Sequence, residues 1–137
     1  MSCRRADCQA WLKVKSVPDL RWARRDIKTV QLLYPSLAPM EAISAGKDDA
    51  WLGTEEYVAE STAANAYIVT GRTIASHPLS NDVLHGITRA SLTRLITATE
   101  FTLGERKFTI DEAKSADEDF AASFSRRAED TPERRSA

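Results

Sequence analysis

The sequence is poor in residues that bind metals or form disulfides. It has two cysteines and two histidines among 137 residues. Cys3 and Cys8 both lie near the N-terminus, and neither histidine stands at a spacing that would complete a zinc site with them. We therefore expect no metal site and a reduced, cytoplasmic protein.

Long apolar runs and an excess of one charge are also missing. Without an apolar run of membrane-spanning length, neither a membrane span nor a signal peptide is expected. The net charge of −1 gives no electrostatic reason to expect binding to nucleic acid or to an acidic membrane surface. The composition therefore favours a soluble protein.

The chain length suits one compact domain, or part of a larger protein, and 42% of the residues are hydrophobic, enough to form a core. Residues 1–9 show no hydrophobic period and are predicted to be an N-terminal tail. Residues 126–137 are almost wholly polar, which predicts a disordered tail. The folded domain is predicted to span residues 10–125.

Hydrophobic patterning predicts a mixed α/β (α+β) fold. The first helix is expected to begin near Pro35 and to end at Gly46, and Gly71 is expected to mark a tight hairpin. A longer helix begins at Gly86, with Leu92, Leu95 and Ile96 on its buried face and Arg89 and Arg94 pointing elsewhere. A capping box at Thr109–Glu112 predicts a short third helix. Strands are predicted at 11–17, 50–52, 57–59, 66–70, 72–76, 105–108 and 119–122.

The first candidate site residue is Lys28, which lies between Asp26 and an apolar run at 30–33. Burial disfavours the charged form of a lysine, and a neutral amine is a nucleophile toward carbonyl groups. The alternative is an ordinary solvated surface lysine.

The second candidate is Glu60, which stands between a predicted strand and the polar loop 61–65. A carboxylate at a strand end is placed to meet a bound molecule. The alternative is a solvated glutamate in a turn.

The third candidate is the run Gly86-Ile87-Thr88 at the predicted start of a helix. Backbone N–H groups at a helix N-terminus, together with a threonine hydroxyl, make a cradle for a phosphate, and glycine permits close approach. The alternative is an ordinary helix start with Thr88 near the cap. His77 and His85 are assigned no catalytic role.

The three candidates fit one cofactor, pyridoxal phosphate, which needs a lysine, an acid at its ring nitrogen and a phosphate site. The sequence around them resembles the class IV (fold type IV) pyridoxal-phosphate-dependent aminotransferases, and within these the D-amino acid aminotransferase branch. The similarity extends from about Trp11 to Ser123. It is strongest at Asp-Ile-Lys-Thr (26–29) with Leu32-Leu33, at Val-Ala-Glu-Ser-Thr-Ala-Ala-Asn-Ala-Tyr-Ile-Val (58–69), at Leu-His-Gly-Ile-Thr-Arg (84–89) and at Arg21-Trp22.

This resemblance implies a role for each site residue. Lys28 matches the catalytic lysine that binds the cofactor and moves a proton, and Glu60 matches the acid at the pyridine nitrogen. Gly86, Ile87 and Thr88 match the phosphate site, and Leu84 matches an apolar residue packed on the ring. The implied reaction transfers an amino group from a (D-)amino acid to a 2-oxo acid, in a homodimer. The implied fold is the large C-terminal-type domain of the family, a mixed sheet or pseudo-barrel with flanking helices, in incomplete form.

The sequence also departs from the pattern it resembles. It has no counterpart of the smaller domain that precedes this region in the family, and Phe124 stands where the D-amino acid branch has a hydroxyl residue. Ala63-Ala64 replaces a pair that is often serine. We therefore expect a truncated cofactor-binding half of such an enzyme. The alternatives are a non-catalytic remnant and a same-fold lyase similar to aminodeoxychorismate lyase.

Overall fold

The structure, a computed structural model, describes residues 2–4 and 11–123. These residues form eight strands and three helices. In chain order the elements are β1 (Ser2–Arg4), β2 (Trp11–Pro18), α1 (Leu33–Ser44), β3 (Asp49–Gly53), β4 (Val58–Ser61), β5 (Asn65–Thr70), β6 (Thr73–Ser76), α2 (Ile87–Thr97), β7 (Thr102–Glu105), α3 (Ile110–Ser115) and β8 (Glu118–Ala122).

The strands form two four-stranded mixed sheets, in the orders β1-β2-β3-β4 and β7-β6-β5-β8. Each sheet has one parallel pair, β2 with β3 and β6 with β7, and all other pairs are antiparallel. A parallel pair needs a crossover connection, and α1 and α2 supply these two connections. The predicted mixed α/β fold is confirmed.

Three apolar clusters hold the layers together. The first lies between the two sheets and includes Trp51, Ile68 and Phe108. The second packs α1 on the outer face of the first sheet, and the third packs α2 on the outer face of the second sheet. Alternate residues of a strand point to opposite faces. Residues from both faces of each sheet belong to these clusters, so each sheet buries both of its faces. The layers therefore run α1, first sheet, second sheet, α2.

Helix α1 begins at Leu33, two residues before the predicted start at Pro35, and it contains Pro39. Pro35 lies in the first turn, where a missing N–H breaks no helical bond. The helix stops just before Gly46, the predicted stop signal, which has φ of 72°. The N–H groups of Gly46 and Lys47 donate to the carbonyls of Ile43 and Ala42, both at 2.9 Å, which is a Schellman motif.

Two other local signals are confirmed. Gly71 has φ of 57° and connects β5 to β6, as the hairpin prediction required. The capping box is also present: the Glu112 N–H donates to Thr109 Oγ1 at 3.0 Å, and the Thr109 N–H donates to Glu112 Oε2 at 2.8 Å.

The predicted orientation of α2 is wrong at two positions, since Arg89 is buried and Leu95 is exposed. Arg89 tolerates burial because its guanidinium donates to Ser76 Oγ and to Glu105 Oε1, both at 2.8 Å. The predicted strand at 105–108 is also wrong. The strand is Thr102–Glu105 and pairs with β6, whereas Phe108 packs between the sheets.

Part of the predicted N-terminal tail is a strand, because Ser2–Arg4 pairs antiparallel with β2. Residues 1, 5–10 and 124–137 lie outside the described residues. They include Phe124 and the predicted tail 126–137, so the domain limits of 10–125 stay a prediction. Within the described residues, no helix has the length and apolar character needed to cross a membrane.

One buried acid gives the fold a predicted dependence on pH. Asp119 lies on β8 opposite Ile68, and its Oδ2 has no hydrogen-bond partner among the described residues. Burial raises the pKa of Asp119 from 3.8 to about 6. Because the folded pKa exceeds the unfolded one, this group stabilises the fold below about pH 4, and the contribution is lost as the pH rises through about 6.

We therefore expect Asp119→Asn to raise the free energy of unfolding at pH 7 by roughly 1–2 kcal/mol. The variant should also flatten the fall in Tm between about pH 4 and pH 7. Thermal unfolding followed by circular dichroism measures both effects. The exposed Asp111→Asn is the matched control. An Asp119→Asn variant with the pH dependence of the parent protein contradicts the expectation.

Candidate functional site

The structure brings all six predicted site residues to one cavity of about 1010 Å³. The walls come from segments within 20–35, 60–65 and 84–88, together with Ala122 and Ser123. The size is that of a small-molecule or cofactor site. The predicted residues on its walls are Lys28, Glu60, Leu84, Gly86, Ile87 and Thr88.

Glu60 is a buried residue, only 4% exposed as a whole, near the end of β4. Its Oε1 accepts a hydrogen bond from Arg21 Nη1. Its Oε2 accepts from Asn65 Nδ2 at 3.2 Å and from the Leu84 N–H at 3.1 Å. The alternative of a solvated turn glutamate is therefore wrong.

The charge of Glu60 depends on two opposing effects. Burial raises the pKa of its carboxyl, and the hydrogen bond and positive charge of Arg21 lower it again in part. A carboxylate offers about four lone-pair positions, and three donors occupy positions on Glu60. One further donor in the cavity can therefore be accepted.

Arg21 belongs to a series of ion pairs that the sequence did not predict. Its members are Glu60, Arg21, Asp19, Arg25 and Asp82. The Nε and Nη2 of Arg21 donate to the two carboxylate oxygens of Asp19 at 2.8 and 2.7 Å. Asp19 also pairs with Arg25 at 3.1 Å, and Arg25 pairs with Asp82 at 2.8 Å. The sequence showed a cluster of arginines after a proline, but nothing in it linked Arg21 to Glu60.

Lys28 lies in the loop between β2 and α1, and its surroundings differ from those predicted. The apolar residues after it are exposed, with Val30 at 94% and Leu33 at 76%, and Lys28 itself is exposed. The premise that an apolar run buries this lysine is wrong. Asp26 pairs with Arg24 at 2.7 Å, and in the described part of the chain Lys28 forms no ion pair. Its amine is therefore available to a molecule in the cavity.

The start of α2 has the open form predicted for an anion site. Gly86 precedes the helix in an extended conformation, and no side chain caps it. Across residues 11–123, the N–H groups of Ile87 and Thr88 have no acceptor outside the helix. The first N–H groups of a helix also have no partner within it. Three donors, two N–H groups and the Thr88 hydroxyl, can therefore meet an anion at this end of the cavity.

Gly86 is needed at this position because Asn65 approaches it closely. A Cβ at residue 86 would lie 2.9 Å from Asn65 Oδ1. Asn65 is the residue that links Glu60 to the Leu84 carbonyl, to which its Nδ2 donates at 3.0 Å. The glycine thus lets the start of α2 approach the carboxylate.

We expect Gly86→Ala to displace Asn65 and to lower the free energy of unfolding by roughly 1–2 kcal/mol. Urea unfolding measures the change. Gly104→Ala is the matched control, since its Cβ would lie 3.4 Å from Thr73 Cγ2, an ordinary contact. Equal losses for the two variants would argue against a special role for Gly86.

The side chain of Asp49 supports the turn after Glu60 through two hydrogen bonds. Its two oxygens accept from the hydroxyls of Ser61 at 2.8 Å and Thr62 at 2.7 Å. The Ser61 N–H closes the turn on the Ala64 carbonyl at 2.8 Å. The turn therefore keeps its shape although Ala63-Ala64 replaces the expected serines.

Comparison with solved structures defines the class of protein. A branched-chain aminotransferase from the archaeon Thermoproteus uzoniensis, solved with norvaline, superposes with a TM-score of 0.66 and 25% identity. The match covers 82% of this chain and 40% of the other. A putative 4-amino-4-deoxychorismate lyase of Legionella pneumophila matches with a TM-score of 0.70 and 26% identity, over 82% and 43% of the two chains. The fold is that of the fold type IV aminotransferases.

Comparison of sequences then gives the family. The model of the family "Amino-transferase class IV" matches residues 4–126. The D-alanine aminotransferase of Staphylococcus aureus (strain N315) is 37% identical over 117 residues, which are 85% of this chain and 41% of that protein. This chain belongs to the class IV aminotransferase family, and it spans about two fifths of the length of the curated relatives that it matches.

Proposed function

We propose that this chain carries the pyridoxal-phosphate site of an enzyme that transfers an amino group from a D-amino acid to a 2-oxo acid. One observation carries the proposal: a lysine with no ion pair in the described part of the chain, a buried carboxylate and an uncapped helix start line the same cavity. The choice of D-amino acids rests on the similarity to D-alanine aminotransferase. Because this chain spans about two fifths of the length of the curated relatives that it matches, the activity and the homodimeric state are part of the proposal.

The residues of the cavity suit the cofactor in three respects. Glu60 has an acceptor position left for a protonated ring nitrogen, and the start of α2 offers donors to a phosphate. Leu84 lines the cavity between them and supplies an apolar surface for a ring. The volume of about 1010 Å³ is enough for a cofactor and a small substrate.

Each residue then has a defined task. When bound, the cofactor supplies an electron sink for the charge that develops at the substrate α-carbon. Lys28 provides the amine that attaches the cofactor and that moves a proton at the α-carbon. Glu60 accepts a hydrogen bond from the ring nitrogen and holds the proton there. Gly86, Ile87 and Thr88 bind the phosphate and so fix the orientation of the ring.

The lyase interpretation keeps the same site but changes the substrate and the reaction, which becomes an elimination that uses the same lysine, Lys28. It is favoured by the structural similarity to the Legionella pneumophila protein. In the remnant interpretation, the chain keeps the fold but catalyses no reaction. These alternatives make different predictions for the same purified chain.

The test is to load the 137-residue protein with pyridoxal phosphate and to add D-alanine or L-alanine while the visible spectrum is recorded. We expect D-alanine to convert the bound cofactor to its amino form and a 2-oxo acid to reverse the change. Conversion by L-alanine alone overturns the assignment to D-amino acids. In a parallel reaction with aminodeoxychorismate as substrate, pyruvate release without amino transfer supports the lyase. Binding without conversion, or no binding, supports the remnant.

A further inference from the structure

We propose that Arg21 is a positioning residue of the cofactor site, which holds Glu60 ionised and fixed in place. The inference rests on the proposed function, because it assigns Glu60 to the ring nitrogen. It adds a residue to which neither the motif pattern nor the family match gives a task. It is carried by the arrangement of Asp19, Arg21 and Glu60.

Asp19 sets the orientation of the Arg21 guanidinium. Asp19 binds the Nε and Nη2 of Arg21 with both carboxylate oxygens, at 2.8 and 2.7 Å. These two parallel hydrogen bonds, the fork between Arg21 and Asp19, fix the plane of the guanidinium. Nη1 then donates to Glu60 Oε1, so the direction of this donor is set by Asp19. A lysine has no such fork and cannot reproduce the geometry.

Arg21 also stabilises the negative charge of Glu60. Its side chain is 5% exposed and that of Arg21 is 13% exposed, so water contributes little to the solvation of either. Among the described residues, three groups contact the carboxylate: Arg21 from the loop after β2, Asn65 from β5 and the Leu84 N–H from the loop before α2. Arg21 is the cation among them. Without it, burial favours the protonated carboxyl, which would donate a hydrogen bond where the site needs an acceptor.

The ion pairs extend from Asp19 to the two loops that carry the rest of the site. Asp19 pairs with Arg25, and Arg25 pairs with Asp82. The Arg25 N–H also donates to the Asn81 carbonyl at 2.8 Å. The loop before Lys28 is thereby attached to the loop that leads into α2. Arg21 is the member of this series of ion pairs that contacts the Glu60 carboxylate.

The experiment compares Arg21→Met and Arg21→Lys with the control Arg24→Met. Arg24 lies in the same loop, is exposed and pairs with Asp26, away from the cavity walls. The first readout is the Kd for pyridoxal phosphate, measured by quenching of tryptophan fluorescence. The second is the infrared band of a protonated carboxyl in the protein without cofactor, assigned to residue 60 by its loss in a variant that also carries Glu60→Gln.

For Arg21→Met we expect a Kd raised about tenfold or more and a protonated-carboxyl band at neutral pH. Arg21→Lys should keep Glu60 ionised and still weaken binding, because the fork to Asp19 is lost. Arg24→Met should bind within about twofold of the parent protein. If Arg21→Met fails to fold, Arg21→Lys decides the matter: parental affinity in that variant overturns the proposal.

Parental affinity in Arg21→Met, or the absence of a protonated carboxyl there, also overturns it. A purely structural role for Arg21 would lower stability without the infrared band. If the parent protein does not bind pyridoxal phosphate, the proposed function fails. The infrared measurement on the unliganded protein still decides whether Arg21 keeps Glu60 ionised.

Discussion

Replacing Glu60 with alanine is expected to lower the free energy of unfolding by about 3–5 kcal/mol and to abolish binding of pyridoxal phosphate. The carboxylate accepts from Arg21, from Asn65 and from the Leu84 N–H. Its removal leaves Arg21 Nη1, one N–H of Asn65 Nδ2 and the Leu84 N–H without this acceptor in a largely buried site, although Asp19 still binds Arg21. A loss of this size is a large part of the stability of a typical domain, about 5–15 kcal/mol.

Urea unfolding of Glu60→Ala and of Glu41→Ala isolates this effect. Glu41 is an exposed glutamate paired with Lys15, and its loss should cost less than about 1 kcal/mol. Cofactor binding should survive in Glu41→Ala and be lost in Glu60→Ala. Similar unfolding curves for the two variants would show that the Glu60 network contributes no more than a surface pair.

The second large effect is expected at Trp51, where alanine should lower the free energy of unfolding by about 3–5 kcal/mol. Trp51 is 1% exposed and lies between the two sheets, with its ring 6.0 Å from that of Phe108. Its Nε1 has no hydrogen-bond partner in the described structure, so the loss is one of packing alone. The cavity left behind opens the centre of the first apolar cluster.

Trp22→Ala is the control for tryptophan removal, since Trp22 is 42% exposed. We expect it to change the free energy of unfolding by less than about 1 kcal/mol. Both variants are compared by urea unfolding followed by far-ultraviolet circular dichroism. If Trp51→Ala unfolds at the urea concentration of the parent protein, the two sheets do not share the core described above.

Local signals allowed much of the fold to be predicted. Gly46, Gly71 and the Thr109–Glu112 capping box each depend on a few neighbouring residues, and each ends or begins an element as predicted. Burial on α2 was predicted less well, because Arg89 is held inside by Ser76 and by Glu105, which belong to other strands. Such partners are not visible in the period of the helix itself.

In the site, too, local signals were predicted better than contacts between distant parts of the chain. Lys28, Glu60 and the start of α2 were predicted from short motifs, and they line one cavity. The surroundings of Lys28 were predicted wrongly, because an apolar run in a sequence does not reveal whether another layer covers it. Arg21 and Glu60 are separated by 39 residues, and only the register of β2, β3 and β4 brings them together.

The most direct measurement is to treat the protein with pyridoxal phosphate and then with sodium borohydride, and to locate the attached group by mass spectrometry of peptides. We expect one modified lysine, Lys28, and no specific attachment in Lys28→Ala at the same cofactor concentration. Attachment at Lys13, Lys15 or Lys47 instead, or an unmodified Lys28 at saturating cofactor, would contradict the assignment of this cavity as the cofactor site.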